Sequence, residues 1–140
     1  MSLKILVCDD EPHIVRAISL KFSRAGFDVQ TASDAESCWD LLQRQTPALL
    51  ITDYTMPGMN GADLVRKIRQ DPSLADLPVI MLTARGFELM AESEEVSRLN
   101  LAAMLVKPFS PRELVLKVHE ILELDAEPST SAYRDSASSV

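Results

Sequence analysis

The sequence predicts an α/β fold in which a parallel sheet is doubly wound by helices. Three observations lead there. Five short apolar runs alternate with five stretches of helical periodicity. The runs are nearly continuous in apolar residues, as strands covered on both faces are. Four of them end on a side chain suited to phosphoryl chemistry: Ile5-Leu6-Val7-Cys8 runs into Asp9-Asp10, Leu49-Leu50-Ile51-Thr52 into Asp53, Val79-Ile80-Met81-Leu82 into Thr83, and Met104-Leu105-Val106 into Lys107. In an open α/β sheet, ligands bind in the crevice at the carboxyl ends of the strands, so these side chains converge on one site.

Taken in order, β1 is predicted over about 3–8 and α1 over about 11–25, with Ile14, Ile18, Phe22 and Ala25 spaced for one buried face. Gly26 follows where a left-handed residue ends a helix. Next come β2 at about 27–31 and α2 at about 34–45, capped by Ser33 or Asp34. Then β3 is expected at about 48–52 and α3 at about 60–70, capped by Asn60. Strand β4 falls at about 78–82, α4 at about 87–99 and β5 at about 103–106. Helix α5 spans about 110–124, with Ser110 as cap, Pro111 at its first position and Glu113 three residues after the cap. It buries Leu114, Val118, Ile121 and Leu122. Alternating strands and helices imply right-handed crossovers with helices on both faces. One domain is expected over 1–124. From 125 to 140 the chain turns small and polar (Glu127-Pro128-Ser129-Thr130-Ser131, then Ser136-Ala137-Ser138-Ser139), which reads as a disordered tail or the start of a linker.

Composition excludes several classes. With 46% hydrophobic residues the chain can build a core, and a formal net charge of −7 argues against direct binding of nucleic acid, which needs a basic surface. No apolar stretch approaches the roughly 20 residues of a membrane span, so no membrane insertion is expected. The start of the chain enters a strand at once, leaving no room for a signal peptide. Cys8 and Cys38 form neither a Cys-x-x-Cys motif nor part of a His cluster, and read as small buried apolar residues in a reducing, cytoplasmic setting.

The chemistry at the strand ends divides by residue type. Asp9 and Asp10 are adjacent, so one carboxylate is placed to bind a cation directly and the other through water. Mg²⁺ prefers one or two carboxylates completed by waters and phosphate oxygens. Asp53 is the third carboxylate and the best nucleophile, since carboxylates form aspartyl-phosphates when a metal shields the charge. Two carboxylates about 4 Å apart repel by roughly 4 kcal/mol at an effective dielectric of about 20, so the group needs a cation or Lys107 to offset it. Thr83 offers a hydroxyl to a phosphoryl oxygen, and Lys107 reaches both Asp53 and a bound phosphate. Lys107-Pro108 is a candidate cis peptide. The loop Met56-Pro57-Gly58-Met59-Asn60-Gly61 is rich in turn residues and is suited to bring a backbone carbonyl near the cation.

Over about 3–124 the chain resembles the receiver domains of two-component response regulators. The resemblance rests on Leu6-Val7-Cys8-Asp9-Asp10-Glu11-Pro12, Asp53-Tyr54-Thr55-Met56-Pro57-Gly58-Met59-Asn60-Gly61, Thr83-Ala84 and Lys107-Pro108-Phe109, all in order and position. It implies a flavodoxin-like (βα)5 fold with strand order 2-1-3-4-5. It also implies a phosphorylation-controlled signalling switch. Asp53 accepts a phosphoryl group from a histidine kinase or histidine phosphotransfer protein; Asp9, Asp10, Asp53 and the backbone carbonyl of Thr55 hold Mg²⁺; Lys107 and Thr83 bind the phosphoryl group. Thr83 then shifts the α4-β5-α5 face, where a downstream protein docks. The chain is expected to catalyse only its own phosphorylation and dephosphorylation, with no separate metabolite.

Departures from the family pattern are local. Met104 stands where the family usually has an aromatic residue, and Asn100-Leu101-Ala102-Ala103 replaces the usual Gly-Ala-Asp-Asp, giving a more apolar output surface. Thr55 and Arg85 occupy the two positions that tune dephosphorylation in the family. Met104 is the feature that favours a rival reading, a receiver-like scaffold that binds partners without phosphorylation. An aspartyl-phosphate hydrolase wants an Asp-x-Asp pattern after the first strand, and a flavin module wants a Ser/Thr/Gly-rich loop there. Asp9-Asp10-Glu11 supplies neither.

Overall fold

The structure is a computed structural model and describes residues 2–84 and 94–124. Five parallel strands stand in the order β2-β1-β3-β4-β5: β1 (Lys4–Cys8), β2 (Asp28–Ala32), β3 (Leu49–Asp53), β4 (Val79–Thr83) and β5 (Ala103–Val106). The helices are α1 (Pro12–Arg24), α2 (Ala35–Arg44), α3 (Gly61–Gln70), α4 (Glu94–Ser97) and α5 (Pro111–Ile121). This is the doubly wound arrangement the sequence predicts.

Two cores sit on opposite faces of the sheet, because successive strand residues point to opposite sides. Leu6, Cys8, Leu50, Val79 and Met81 pack with Leu42 of α2 and Leu64, Val65 and Ile68 of α3. Ile5, Val7, Leu49, Ile51, Ile80 and Leu82 pack with Ile18 and Phe22 of α1 and Leu114 and Val118 of α5. β1, β3 and β4 are buried along almost their whole length, which explains their unbroken apolar runs. Each fully buried Leu, Ile or Phe contributes roughly 1.5–3 kcal/mol through surface removed from water.

Local signals place the helix ends. Asp34, not Ser33, caps α2 by accepting from the Ser37 amide at 2.7 Å. Asn60 and Asp63 form a reciprocal capping box on α3, and the Ser110 hydroxyl accepts from the Glu113 amide at 3.0 Å. Gly26, at φ +98°, turns the chain from α1 into β2. Asn100 takes the left-handed region at φ +52°, the substitution for glycine expected at the end of α4. Ala25 departs from expectation: it is exposed, because it lies past the last turn of α1 and off the buried face of Ile18 and Phe22. Strand β2 runs one residue later than predicted. The earlier part of the predicted α4, with Arg85, and the 125–140 tail lie outside the described residues.

At the amino ends of β4 and β5, Arg69 of α3 donates to four backbone carbonyls. Its Nη1 reaches Ala75 at 2.9 Å and Leu77 at 2.7 Å, its Nε reaches Leu99 at 2.8 Å, and its Nη2 reaches Asn100 at 3.1 Å. Arg66 links the same helix to Glu95 of α4. No helix among the described residues is long and apolar enough to cross a membrane.

Candidate phosphoryl-acceptor site

At the other end of the sheet, the chain leaves β5 into Lys107, whose amide donates to the Thr83 carbonyl at 2.7 Å. That bond fixes Lys107 beside the end of β4. The Lys107-Pro108 peptide is cis, as the sequence reading expected. The ammonium then reaches three carboxylates: Glu11 Oε1 at 2.8 Å, Asp9 Oδ2 at 3.1 Å and Asp53 Oδ2 at 3.1 Å.

Asp9 is buried at the end of β1, and its Oδ1 accepts from the Glu11 amide at 2.9 Å. Asp10 is exposed. The two adjacent acids thus face different surroundings, as alternation at a strand end requires. Asp9, Asp10 and Asp53 each present an oxygen, and these oxygens lie within 4.8 Å of one another. Hard oxygen donors so spaced suit a divalent cation such as Mg²⁺.

Asp53 is 5% exposed, and its carboxyl is raised to about 6, first by burial and then by the Asp9 charge; Lys107 and a hydrogen bond with the Thr55 backbone pull it back down. For Lys107, burial is the largest influence and opposes its charge, yet the hydrogen bonds it donates to Glu11 and Asp53 and the charges of Asp53 and Asp9 outweigh it and raise its pKa. Glu11 is lowered, chiefly by its hydrogen bond with Lys107. One ammonium therefore does not neutralise the carboxylates gathered around it, and the excess negative charge favours a bound cation.

The Thr83 hydroxyl is buried without a hydrogen-bond partner among the described residues. Leaving such a group unpaired costs about 1–3 kcal/mol, and an orphan at a strand end beside Lys107 is a group waiting for an acceptor. Val106 pairs with Thr83 in the sheet, so the hydroxyl and the ammonium come from neighbouring positions.

The acceptor loop is anchored from behind. The Gly61 amide donates to the Tyr54 carbonyl at 2.8 Å. A Cβ at Gly61 would overlap the carbonyl oxygen of Asp53 and come within 3.0 Å of Tyr54 Cα. Met56 is buried beneath the loop, its Sδ 3.4 Å from Cys8 Sγ. Cys8 and Cys38 are both buried and free, and the neighbouring Cys8 thiol together with burial raises the Cys38 thiol.

The structure thus brings Asp9, Asp10, Asp53 and Lys107 together, with Thr83 one strand away and Thr55 beside Asp53. Sequence reasoning missed Glu11 as a partner of Lys107. It was visible only as the third member of the acidic run Asp9-Asp10-Glu11. A cleft of about 510 Å³ opens beside it, lined by Glu11, His13, Ile14, Lys107, Phe109 and Pro111 among others.

The description "response regulator receiver domain" matches residues 5–119. The chemotaxis protein CheY homolog of Campylobacter jejuni is 37% identical over 122 residues, covering 86% of this chain and 92% of that protein. The alkaline phosphatase synthesis transcriptional regulatory protein PhoP of Bacillus subtilis is 36% identical over 139 residues, covering 96% of this chain but 55% of that protein. The chain spans about half the length of most of the curated relatives it matches. Among solved structures, a putative response regulator from Chloroflexus aurantiacus has a TM-score of 0.79 at 31% identity, covering 88% of this chain and 99% of that one. The chemotaxis response regulator CheY4 of Vibrio cholerae has a TM-score of 0.77 at 27% identity, covering 86% and 99%.

Proposed function

This chain belongs to the response regulator receiver family, and we propose that it is a phosphorylation-controlled switch whose phosphoryl acceptor is Asp53. The observation that carries this reading is the Lys107 ammonium held 3.1 Å from both Asp9 and Asp53, beside a Thr83 hydroxyl that has no partner among the described residues. A carboxylate oxygen of Asp53 attacks phosphorus in the phosphohistidine of a histidine kinase or phosphotransfer protein. The P–O bond to Asp53 forms as the P–N bond breaks, and the imidazole leaves with the electron pair. Lys107 holds one phosphoryl oxygen by charge, and Thr83 donates its hydroxyl to another. Asp9, Asp10, Asp53 and the Thr55 carbonyl are the groups that would hold Mg²⁺, which supplies the charge neutralisation that lets two anions approach.

Phosphorylation fixes a charge of about −1.5 to −2 at Asp53. Thr83 is drawn toward it, and the α4-β5-α5 face takes a second arrangement that a downstream protein reads. Ala102 before β5 and Leu116 of α5 are exposed, and Met104 of β5 is half-buried, which supports an apolar contact. The domain's own partners are proteins; a net charge of −7 disfavours direct nucleic-acid contact. Its chemistry is confined to its own phosphorylation and dephosphorylation, in the cytoplasm.

The rival scaffold reading draws on Met104 alone, whereas every charged group needed for phosphorylation is present. The deciding experiment is intact mass after incubation with a small acyl phosphate, with and without Mg²⁺, for wild type and Asp53→Asn. We expect gain of one phosphoryl group that requires Mg²⁺ and is lost in Asp53→Asn. No gain under any condition, including with a phosphohistidine protein, would leave the scaffold reading standing.

A further inference from the structure

We propose that Glu11 is a positioning residue that occupies the phosphoryl place on Lys107 until phosphorylation displaces it; this rests on the acceptor role of Asp53. A Lys ammonium has three N–H donors. Here all three have acceptors: Asp9, Glu11 and Asp53. A phosphoryl oxygen can be held by Lys107 only if one of them lets go.

The three are not equally free to leave. The side chains of Asp9 and Asp53 are 0% and 7% exposed, and both belong to the candidate cation site. Asp9 is also pinned by the Glu11 amide. The Glu11 side chain is 46% exposed, so its carboxylate exchanges Lys107 for water at the smallest desolvation cost. Its helix does not hold it either. Glu11 is the N-cap of α1, yet its side chain makes no capping bond, and only its backbone carbonyl serves the helix, accepting from Ile14 and Val15. In solvent the released carboxylate still has His13 within electrostatic reach.

Glu11 thus lends Lys107 a carboxylate where the phosphoryl oxygen will sit. Before phosphorylation it holds the ammonium in place. During phosphorylation it competes with the incoming group, and afterwards it faces solvent. A half-exposed ion pair is worth about 0.2–1 kcal/mol, so removing the competitor should speed phosphorylation by about 1.4- to fivefold.

The test compares wild type, Glu11→Gln and Glu11→Asp. Uptake of phosphoryl from a small acyl phosphate in Mg²⁺ is followed by intact mass. The Lys107 ammonium is followed separately by ¹⁵N–¹H NMR in metal-free protein, where fixed acceptors slow its proton exchange. We expect Glu11→Gln to be phosphorylated about 1.4- to fivefold faster and its Lys107 signal to broaden. Glu11→Asp keeps the charge but shortens the reach, so its rate should follow its own Lys107 signal rather than its charge. Equal rates in wild type and Glu11→Gln overturn the assignment while leaving Asp53 as acceptor. Slower uptake, or faster uptake with an unchanged Lys107 signal, overturns it too, the latter by pointing to general charge repulsion. Absence of uptake in every protein, wild type included, overturns both this inference and the acceptor reading.

Discussion

Lys107 and Arg69 stand at opposite ends of the same sheet, and each gathers several acceptors. Lys107 is surrounded by carboxylates that carry charge of their own. Arg69 is surrounded by neutral carbonyls from four residues. Burial lowers the Arg69 pKa, with Asp76 countering it, whereas Lys107 is raised. The difference teaches what each end is for. Carbonyls have nowhere to go and no charge to rearrange, so Arg69 is a clasp that holds the approach to β4 and β5 to α3. Carboxylates repel one another and tolerate exchange of partners, so the Lys107 end suits a cation and, in the proposed function, the phosphoryl group.

The largest expected effect breaks the contrast at the charged end. Lys107→Met leaves Asp9, Asp53 and Glu11 without their cation, and should cost roughly 3 kcal/mol of stability in chelator-treated protein. Mg²⁺ at about 100 times its Kd contributes about 2.7 kcal/mol, and it should stabilise this variant more than wild type; urea denaturation in both buffers gives the answer. A deficit unchanged by Mg²⁺ would mean that Lys107 is a clasp like Arg69. Next in size, Arg69→Met should lose about 2 to 3 kcal/mol by freeing carbonyls from a charged donor, equally with and without Mg²⁺. A deficit that Mg²⁺ repairs would show the two ends to be coupled.

The third prediction sharpens the contrast through pH. Asp53, with a folded pKa of about 6, sits above its unfolded value of about 3.9. Below about pH 4 both states are protonated and no penalty exists. As pH rises from about 4 to about 6 the unfolded chain releases its proton first, and stability falls to a lower plateau. Asp53→Asn should therefore be more stable than wild type by on the order of 2 kcal/mol at pH 8 without metal, and the advantage should shrink as pH falls through 6 toward 4. A constant advantage across that range, read from thermal melts, would remove Asp53 as the strained carboxylate.

Much of this was legible in the sequence because it is local. Apolar runs, helical spacing and caps at Asn60 and Ser110 depend on neighbours in the chain, and the strand ends locate the site once the sheet is parallel. Asp9, Asp53, Thr83 and Lys107 followed from those ends. What was not legible depends on tertiary partners. Which of Asp9 and Asp10 turns inward is decided by Lys107, 98 residues from Asp9. Glu11 looks like a solvated helix-cap acid until Lys107 is seen against it. Arg69 reads as an ordinary cation near a helix end, since carbonyls that it gathers from Leu99 and Asn100 leave no mark in side-chain identity. Ala25 fits the α1 periodicity yet lies beyond its last turn.

Gly61 has a consequence for inheritance. A Cβ there would meet the backbone of Asp53 and Tyr54, so no side chain fits between it and the Asp53 peptide. The first residue of α3 therefore serves as a gauge for the acceptor. Any substitution there must push the Asp53 backbone or the helix aside, and the Asp53 carboxylate moves with it. A change at Gly61 therefore has to be matched by a re-setting of the whole loop, not by a local adjustment of one side chain.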